Sequence, residues 1–185
     1  MTVSKEELEN VAKNAVCLHD VASVRNAVDG MAAAINADLG RAPVTLLSVM
    51  NGALFVAGDL ALKLTADVIM DYCHATRYQG RTSGDILEWR VRPSVAMEGC
   101  TVLLVDDILD EGYTLAGIRD ACQVLGAERV LTAVLVEKLH ERRTTAMPEA
   151  DYVGLSVEDH YVFGYGMDYK EHFRHWPGIY RVADA

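Results

Sequence analysis

The chain has 185 residues, 51% of them hydrophobic and 24% charged, which suits one packed domain and argues against disorder. A formal net charge of −10 opposes a polyphosphate backbone, so nucleic acid is not an expected partner. The N-terminus MTVSKEELEN lacks a basic and then apolar leader, no apolar run has membrane-spanning length, and Cys17, Cys73, Cys100 and Cys122 show neither zinc-ligand nor disulfide spacing; a soluble, cytoplasmic protein with reduced thiols and no membrane association is expected.

In chain order, Ser4-Lys-Glu-Glu7 reads as a capping box for a short first helix. Asp20 can cap a second, in which Val21, Val24, Val28, Met31, Ile35 and Leu39 follow helical spacing up to Gly40. After Pro43 a strand is expected at Val44–Val49, a helix from Leu54 to Leu64 and a strand around Val68–Asp71. The polar, aperiodic stretch that follows, taken with its flanks as residues 73–88, is expected to be a mobile loop, with a strand near Leu87–Val91. Val102–Val105 is a continuous apolar run, the pattern of a strand covered on both faces. A helix with apolar residues Leu115, Ile118, Cys122 and Leu125 begins near Thr114 and closes at Gly126; Val130–Val136 is the next strand. Short strands near Tyr152–Ser156 and Tyr161–Phe163 lie in a less regular end. The βαβ alternation predicts a single α/β domain over 1–185, with a mostly parallel sheet flanked by helices.

Chemistry concentrates after the Val102 strand. Asp106 and Asp107 sit cheaply as charges only where the chain emerges, so they are expected at the carboxyl edge of the sheet, where open α/β folds bind ligands. Gly112 permits a tight turn, and the helix opening behind it presents backbone donors and a positive dipole end suited to phosphate, with the Thr114 hydroxyl as a further donor. Acid pairs at strand ends also serve as solvated turns or caps, and residues alone leave both readings open. Gly52 in Met50-Asn-Gly-Ala53 could likewise offer donors to an anion or merely make a βα turn. Lys138, ending VLTAVLVEK on the same edge, is by itself more often a solvated lysine than a ligand contact.

VLLVDDILDEGYTL resembles the phosphoribosyl-pyrophosphate signature of the type I phosphoribosyltransferases. SVMNGALFVAGDL is similar to the pyrophosphate loop of their 6-oxopurine branch, and DYVGLSVEDHYVFGYGMDYKEHFRHWPGI to that branch's purine-binding end. The resemblance spans roughly residues 44–180 and implies a small irregular hood over the sheet. It implies that Asp106, Asp107, Glu111, Gly112, Tyr113 and Thr114 bind the ribose and its phosphate, with Glu111 facing outward where a hydroxyl is usual. Asn51, Gly52 and Arg174 would take pyrophosphate; Lys138, Tyr161, Val162 and Asp168 would take the purine, with Lys138 donating to O6. Asp110 would be the general acid/base at N7. Tyr78, preceded by Arg77 where serine is usual, would belong to a mobile lid. Mg²⁺ is the implied cofactor, with Asp106, Asp107 and Asp168 near it. Phosphoribosyl pyrophosphate and a 6-oxopurine are the implied substrates, and a homodimer or homotetramer the implied assembly. A ligand sensor that kept the pocket without turnover is the rival. A receiver-like phosphoacceptor would leave the long carboxyl segment unexplained, and an RNA-binding attenuator suits neither the acidity nor the purine-type end.

Overall fold

The computed structural model describes residues 3–77 and 87–183. Ser4 caps α1 (Lys5–Asn14), accepting from the Glu7 backbone N–H at 3.1 Å. The Glu7 carboxylate serves the tertiary structure rather than the cap: it accepts from the Tyr169 hydroxyl and from Lys170 Nζ, both at 2.6 Å. Strand β1 (Val16–His19) follows, too short to show a period in the sequence. Asp20 then caps α2 (Val21–Leu39) through the Ser23 N–H at 2.8 Å, a contact worth about 1 kcal/mol. The expected apolar stripe of α2 is its buried face: Val24, Val28, Met31, Ile35 and Leu39.

The main sheet is assembled from β2 (Val44–Val49), β3 (Val68–Arg77), β4 (Leu87–Val91), β5 (Thr101–Leu109), β6 (Arg129–Leu139) and β7 (Tyr152–Glu158). Its order is β4-β3-β2-β5-β6-β7, parallel throughout except for β4, which runs antiparallel on the β3 edge. Helices α2 and α3 (Leu54–Ala61) cover one face, and α4 (Tyr113–Val124) covers the other. Strand β5 shows why its core reads as an unbroken apolar run. Leu103 and Val105 pack with α2 and α3, Val102 and Leu104 pack with α4, and all four are fully buried. Each such side chain contributes about 1.5–3 kcal/mol of transfer free energy.

Three expectations need correction. Strand β3 does not stop at Asp71 but continues to Arg77, held there by antiparallel pairing of His74–Arg77 with β4. Residues 73–77 and 87–88 of the expected loop are therefore strand, and its remainder, with Tyr78, lies outside the described residues. Strand β5 likewise runs past Val105 to Leu109, because β6 pairs alongside it as far as Leu109 and Glu137. The hood is more regular than expected: β1, β9 (Ile179–Arg181) and β8 (Val162–Phe163) form a three-stranded antiparallel sheet in that order. The amino-terminal strand thus helps to build a hood otherwise formed by the carboxyl end.

Candidate active site

A cavity of about 530 Å³ opens above the carboxyl ends of β2, β3 and β5 and the start of α4. Residues 106–115 form one wall. Gly112 is the N-cap of α4 at φ +86, a conformation natural only to glycine, and no side chain caps the helix. A Cβ at Gly112 would also crowd Met147 Cβ at 3.1 Å. The first-turn donors that a helix cannot satisfy internally are therefore set at the cavity, as an anion site requires. Glu111, Tyr113 and Thr114 are half-buried along the same wall.

Asp106 and Asp107 belong to the body of β5, not to a solvated strand end. Asp107 is buried, and its N–H donates to Asp106 Oδ1 at 2.9 Å. Burial pushes the Asp106 carboxyl well above its ordinary range, and the charge of Asp107 adds to the effect. Burial also raises Asp107, against a hydrogen bond with Asp106 and the nearby Arg174 charge, which both pull it down. Two acids that resist ionising in the free protein will welcome hydroxyl donors or a cation.

The opposite wall joins the β2–α3 turn to the hood. The Met50–Asn51 peptide is cis, and Asn51 and Gly52 line the cavity. Gly166, at φ +105, comes so close that a Cβ there would overlap the Gly52 carbonyl oxygen. Arg174 is fastened beside this contact: one guanidinium nitrogen donates to the Gly166 carbonyl at 2.6 Å and another pairs with Asp168 Oδ1 at 2.6 Å. Asp168 Oδ2 accepts the Glu171 N–H at 2.7 Å. The lengthened β3 contributes His74 and Thr76 to the lining, which ending that strand at Asp71 missed, and β4 contributes Arg90.

A second recess of about 200 Å³ shares Asp107, Ile108, Asp110 and Asp168 with the first and adds Lys138, Tyr161, Val162 and Met167. The 52%-exposed ring of Tyr161 stands edge-on to Tyr169 at 5.4 Å, leaving an aromatic surface for a planar ligand. Lys138 Nζ meets Asp110 Oδ2 at 2.8 Å, and His140 Nε2 meets Asp110 Oδ1 at 2.6 Å. Burial works to raise the Asp110 carboxyl, but the hydrogen bonds from Lys138 and His140 outweigh it and hold the group below its ordinary value.

Behind the α4 turn, Arg143 pairs with Glu137 and donates to the Lys138 carbonyl at 2.5 Å and the Pro148 carbonyl at 3.2 Å. The Thr144 N–H reaches the Glu111 carbonyl at 2.8 Å. Neither the His140–Asp110 contact nor the Thr144–Glu111 one was visible in sequence, since each joins residues about thirty positions apart.

Among the described residues no group of three or more His, Cys, Asp or Glu side chains stands ready to hold an ion. Asp168 is committed to Arg174, and the three acids do not form a preformed cage. The Asp106–Asp107 pair on the cavity wall nevertheless fits Mg²⁺ in the manner of phosphate enzymes, in which one or two carboxylates and the substrate's own oxygens complete the shell.

A parallel α/β sheet, a glycine turn opening a helix beneath two strand acids, and a hood over the sheet edge define a phosphoribosyl-binding architecture. The family model described as a phosphoribosyl transferase domain matches residues 18–172. The hypoxanthine-guanine phosphoribosyltransferase of Streptococcus pneumoniae is 31% identical over 174 residues, covering 93% of this chain and 94% of that protein. That of Aquifex aeolicus is 31% identical over 143 residues, covering 77% and 79%. Among solved structures, a hypoxanthine-guanine phosphoribosyltransferase from Bacillus anthracis superposes with a TM-score of 0.82 at 27% identity, over 90% of this chain and 96% of that one. A hypoxanthine phosphoribosyltransferase from Staphylococcus aureus gives 0.85 at 25% identity, over 93% and 94%. The chain belongs to the hypoxanthine-guanine phosphoribosyltransferase family.

Proposed function

We propose that the protein is a purine-salvage enzyme, a single domain that transfers the phosphoribosyl group of phosphoribosyl pyrophosphate to N9 of hypoxanthine or guanine, forming inosine or guanosine monophosphate and releasing pyrophosphate. The observation that carries this reading is the ion pair of Lys138 with Asp110 at the junction of the two recesses. It sets a donor suited to a 6-oxo group beside a carboxylate able to manage a purine proton, next to a wall shaped for a sugar phosphate.

Residues 111–114 bind the 5′-phosphate through backbone donors and the Thr114 hydroxyl, while Asp106 and Asp107 accept from the ribose hydroxyls. Tyr161 stacks on the base and the Val162 backbone meets its edge. Lys138 donates to O6 and Asp168 accepts on the far side of the ring. An adenine amine at the O6 position would face an ammonium that can only donate, so it is rejected. Asp110 holds or shares the N7 proton, raising electron density at N9 for attack on the ribosyl carbon. Asn51, Gly52 and Arg174 receive the departing pyrophosphate, with Arg174 offsetting its charge. Mg²⁺, held by Asp106 and Asp107 with Asp168 nearby, would supply further neutralisation of that leaving group.

Two further features accompany the activity. Leu54, Met70 and Tyr72 are each about half exposed around an apolar depression, with 53%, 55% and 48% of their surfaces accessible, which supports a homodimer or homotetramer. Free thiols at Cys17, Cys73, Cys100 and Cys122, with no helix among the described residues long and apolar enough to cross a membrane, support a place in the cytoplasm. The test is an assay with phosphoribosyl pyrophosphate, Mg²⁺ and a panel of purines. Nucleotide formation from hypoxanthine or guanine is expected; binding of these ligands without turnover would move the protein to the sensor class.

A further inference from the structure

His140 lies in the turn that leaves β6, and its side chain is only 5% exposed. Its two ring nitrogens have different partners. Nδ1 receives the backbone N–H of Arg142 at 3.1 Å, and a nitrogen that accepts carries no proton. The ring proton of the neutral imidazole is thereby assigned to Nε2, which faces Asp110 Oδ1 at 2.6 Å. The other oxygen, Oδ2, is held by Lys138 at 2.8 Å. One Asp110 oxygen is thus bonded to a buried ring pinned to the main chain, and the other to a long flexible cation bordering the purine recess.

We infer that His140 is a positioning residue for Asp110: its Nε2–H fixes Oδ1, leaving Oδ2 as the oxygen that exchanges Lys138 for the purine proton. The inference rests on the role proposed above for Asp110. When Lys138 turns to donate to a 6-oxo group its hold on Asp110 loosens, and a carboxylate left with no other donor would swing about its terminal torsion. A donor on Oδ1 keeps the plane of the group set through that exchange. A neutral donor does so without a second fixed positive charge, which would hinder proton acceptance.

The other charges around Asp110 do not substitute for the imidazole. Arg142 comes within 3.9 Å of Oδ1, but its guanidinium is forked onto Asp159 at 2.5 and 2.9 Å, in solvent. Asp159 is also 4.0 Å from Lys138. Glu111 lies next along the loop, and Asp107 and Asp168 share the purine recess; these acids repel the carboxylate and cannot orient it.

Two measurements test the inference. Nitrogen-15 NMR of the histidine rings should show the neutral His140 ring carrying its proton on Nε2, with Nδ1 bare; a neutral ring protonated at Nδ1 would overturn it. In steady-state kinetics His140→Ala should lower kcat about tenfold and leave the KM for phosphoribosyl pyrophosphate within about twofold. The acid limb of its kcat/KM profile should move to higher pH, because losing a donor to the carboxylate favours the protonated acid. His140→Gln, whose amide nitrogen reaches the place of Nε2, should restore most of the rate. Wild-type kcat and acid limb in His140→Ala, or His140→Gln no better than Ala with an unchanged Tm, would overturn the assignment. If the Ala variant does not fold, the Gln variant and the spectra still decide. Inactivity of the unmodified enzyme with every oxopurine is a separate result that rejects the transferase reading and leaves the tautomer measurement standing.

Discussion

Gly52 and Asp107 leave no room for a methyl group between them: a Cβ on residue 52 would overlap the buried Asp107 carboxylate. With Gly166 pressed against the carbonyl of Gly52, three segments remote in sequence meet at the pyrophosphate wall. Gly52→Ala must displace Asp107, and a displacement near 1 Å is expected to lower kcat/KM for phosphoribosyl pyrophosphate roughly 100-fold. Steady-state kinetics check this; a change below twofold would show that the close approach is dispensable.

Asp110→Asn keeps the shape of the side chain and removes its basicity. Turnover should fall by about 10²–10⁴ while the Kd for phosphoribosyl pyrophosphate, measured by calorimetry, changes little. Equal losses in both would turn Asp110 into a binding residue.

Lys138→Ala should blur the preference for 6-oxopurines over adenine and also shift the pH profile. Lys138 provides the larger of the two hydrogen bonds that hold the Asp110 carboxyl down against burial, so its loss raises that group and carries the acid limb of kcat/KM toward higher pH. Unchanged base selectivity across a purine panel would reject the role given to Lys138.

The buried acid pair should cost the free enzyme stability. Because burial and Asp107 raise the folded-state pKa of Asp106 above the ordinary 3.8, the native state binds more protons than the unfolded chain above that value. Stability therefore falls as pH rises from about 3.8 through the folded pKa. Asp106→Asn removes this penalty and should raise Tm at pH 7 by about 2–4 °C, equivalent to roughly 1 kcal/mol, with weaker phosphoribosyl pyrophosphate binding. The gain should shrink on acidification toward the ordinary carboxylate range. Thermal unfolding over a pH series measures it, and a lower Tm for Asp106→Asn at pH 7 would contradict the account.

The strands β2, β5 and β6 and the opening of α4 were legible because their causes are local: runs rich in apolar and β-branched residues for strands buried on both faces, and a left-handed glycine before an amphipathic helix. Strands β1 and β9 were not. They have four and three residues, and their pairing joins the two ends of the chain. The second half of β3 escaped for a similar reason, since its mixed residues are held extended by the antiparallel partner β4 and by no pattern of their own.

At the site, chemical character could be read residue by residue: acids after the β5 core, an ammonium late in β6, an aromatic and an arginine near the end of the chain. Which of these groups touch was decided by register. Strands β5 and β6 run side by side with Leu109 opposite Glu137, so Asp110 and Lys138 occupy the next rung and meet as an ion pair, and the turn beyond brings His140 to the remaining oxygen. Residue type and local spacing act within a few positions of chain, whereas a hydrogen bond across 28 or 30 positions exists only after the sheet has set two strands at one height.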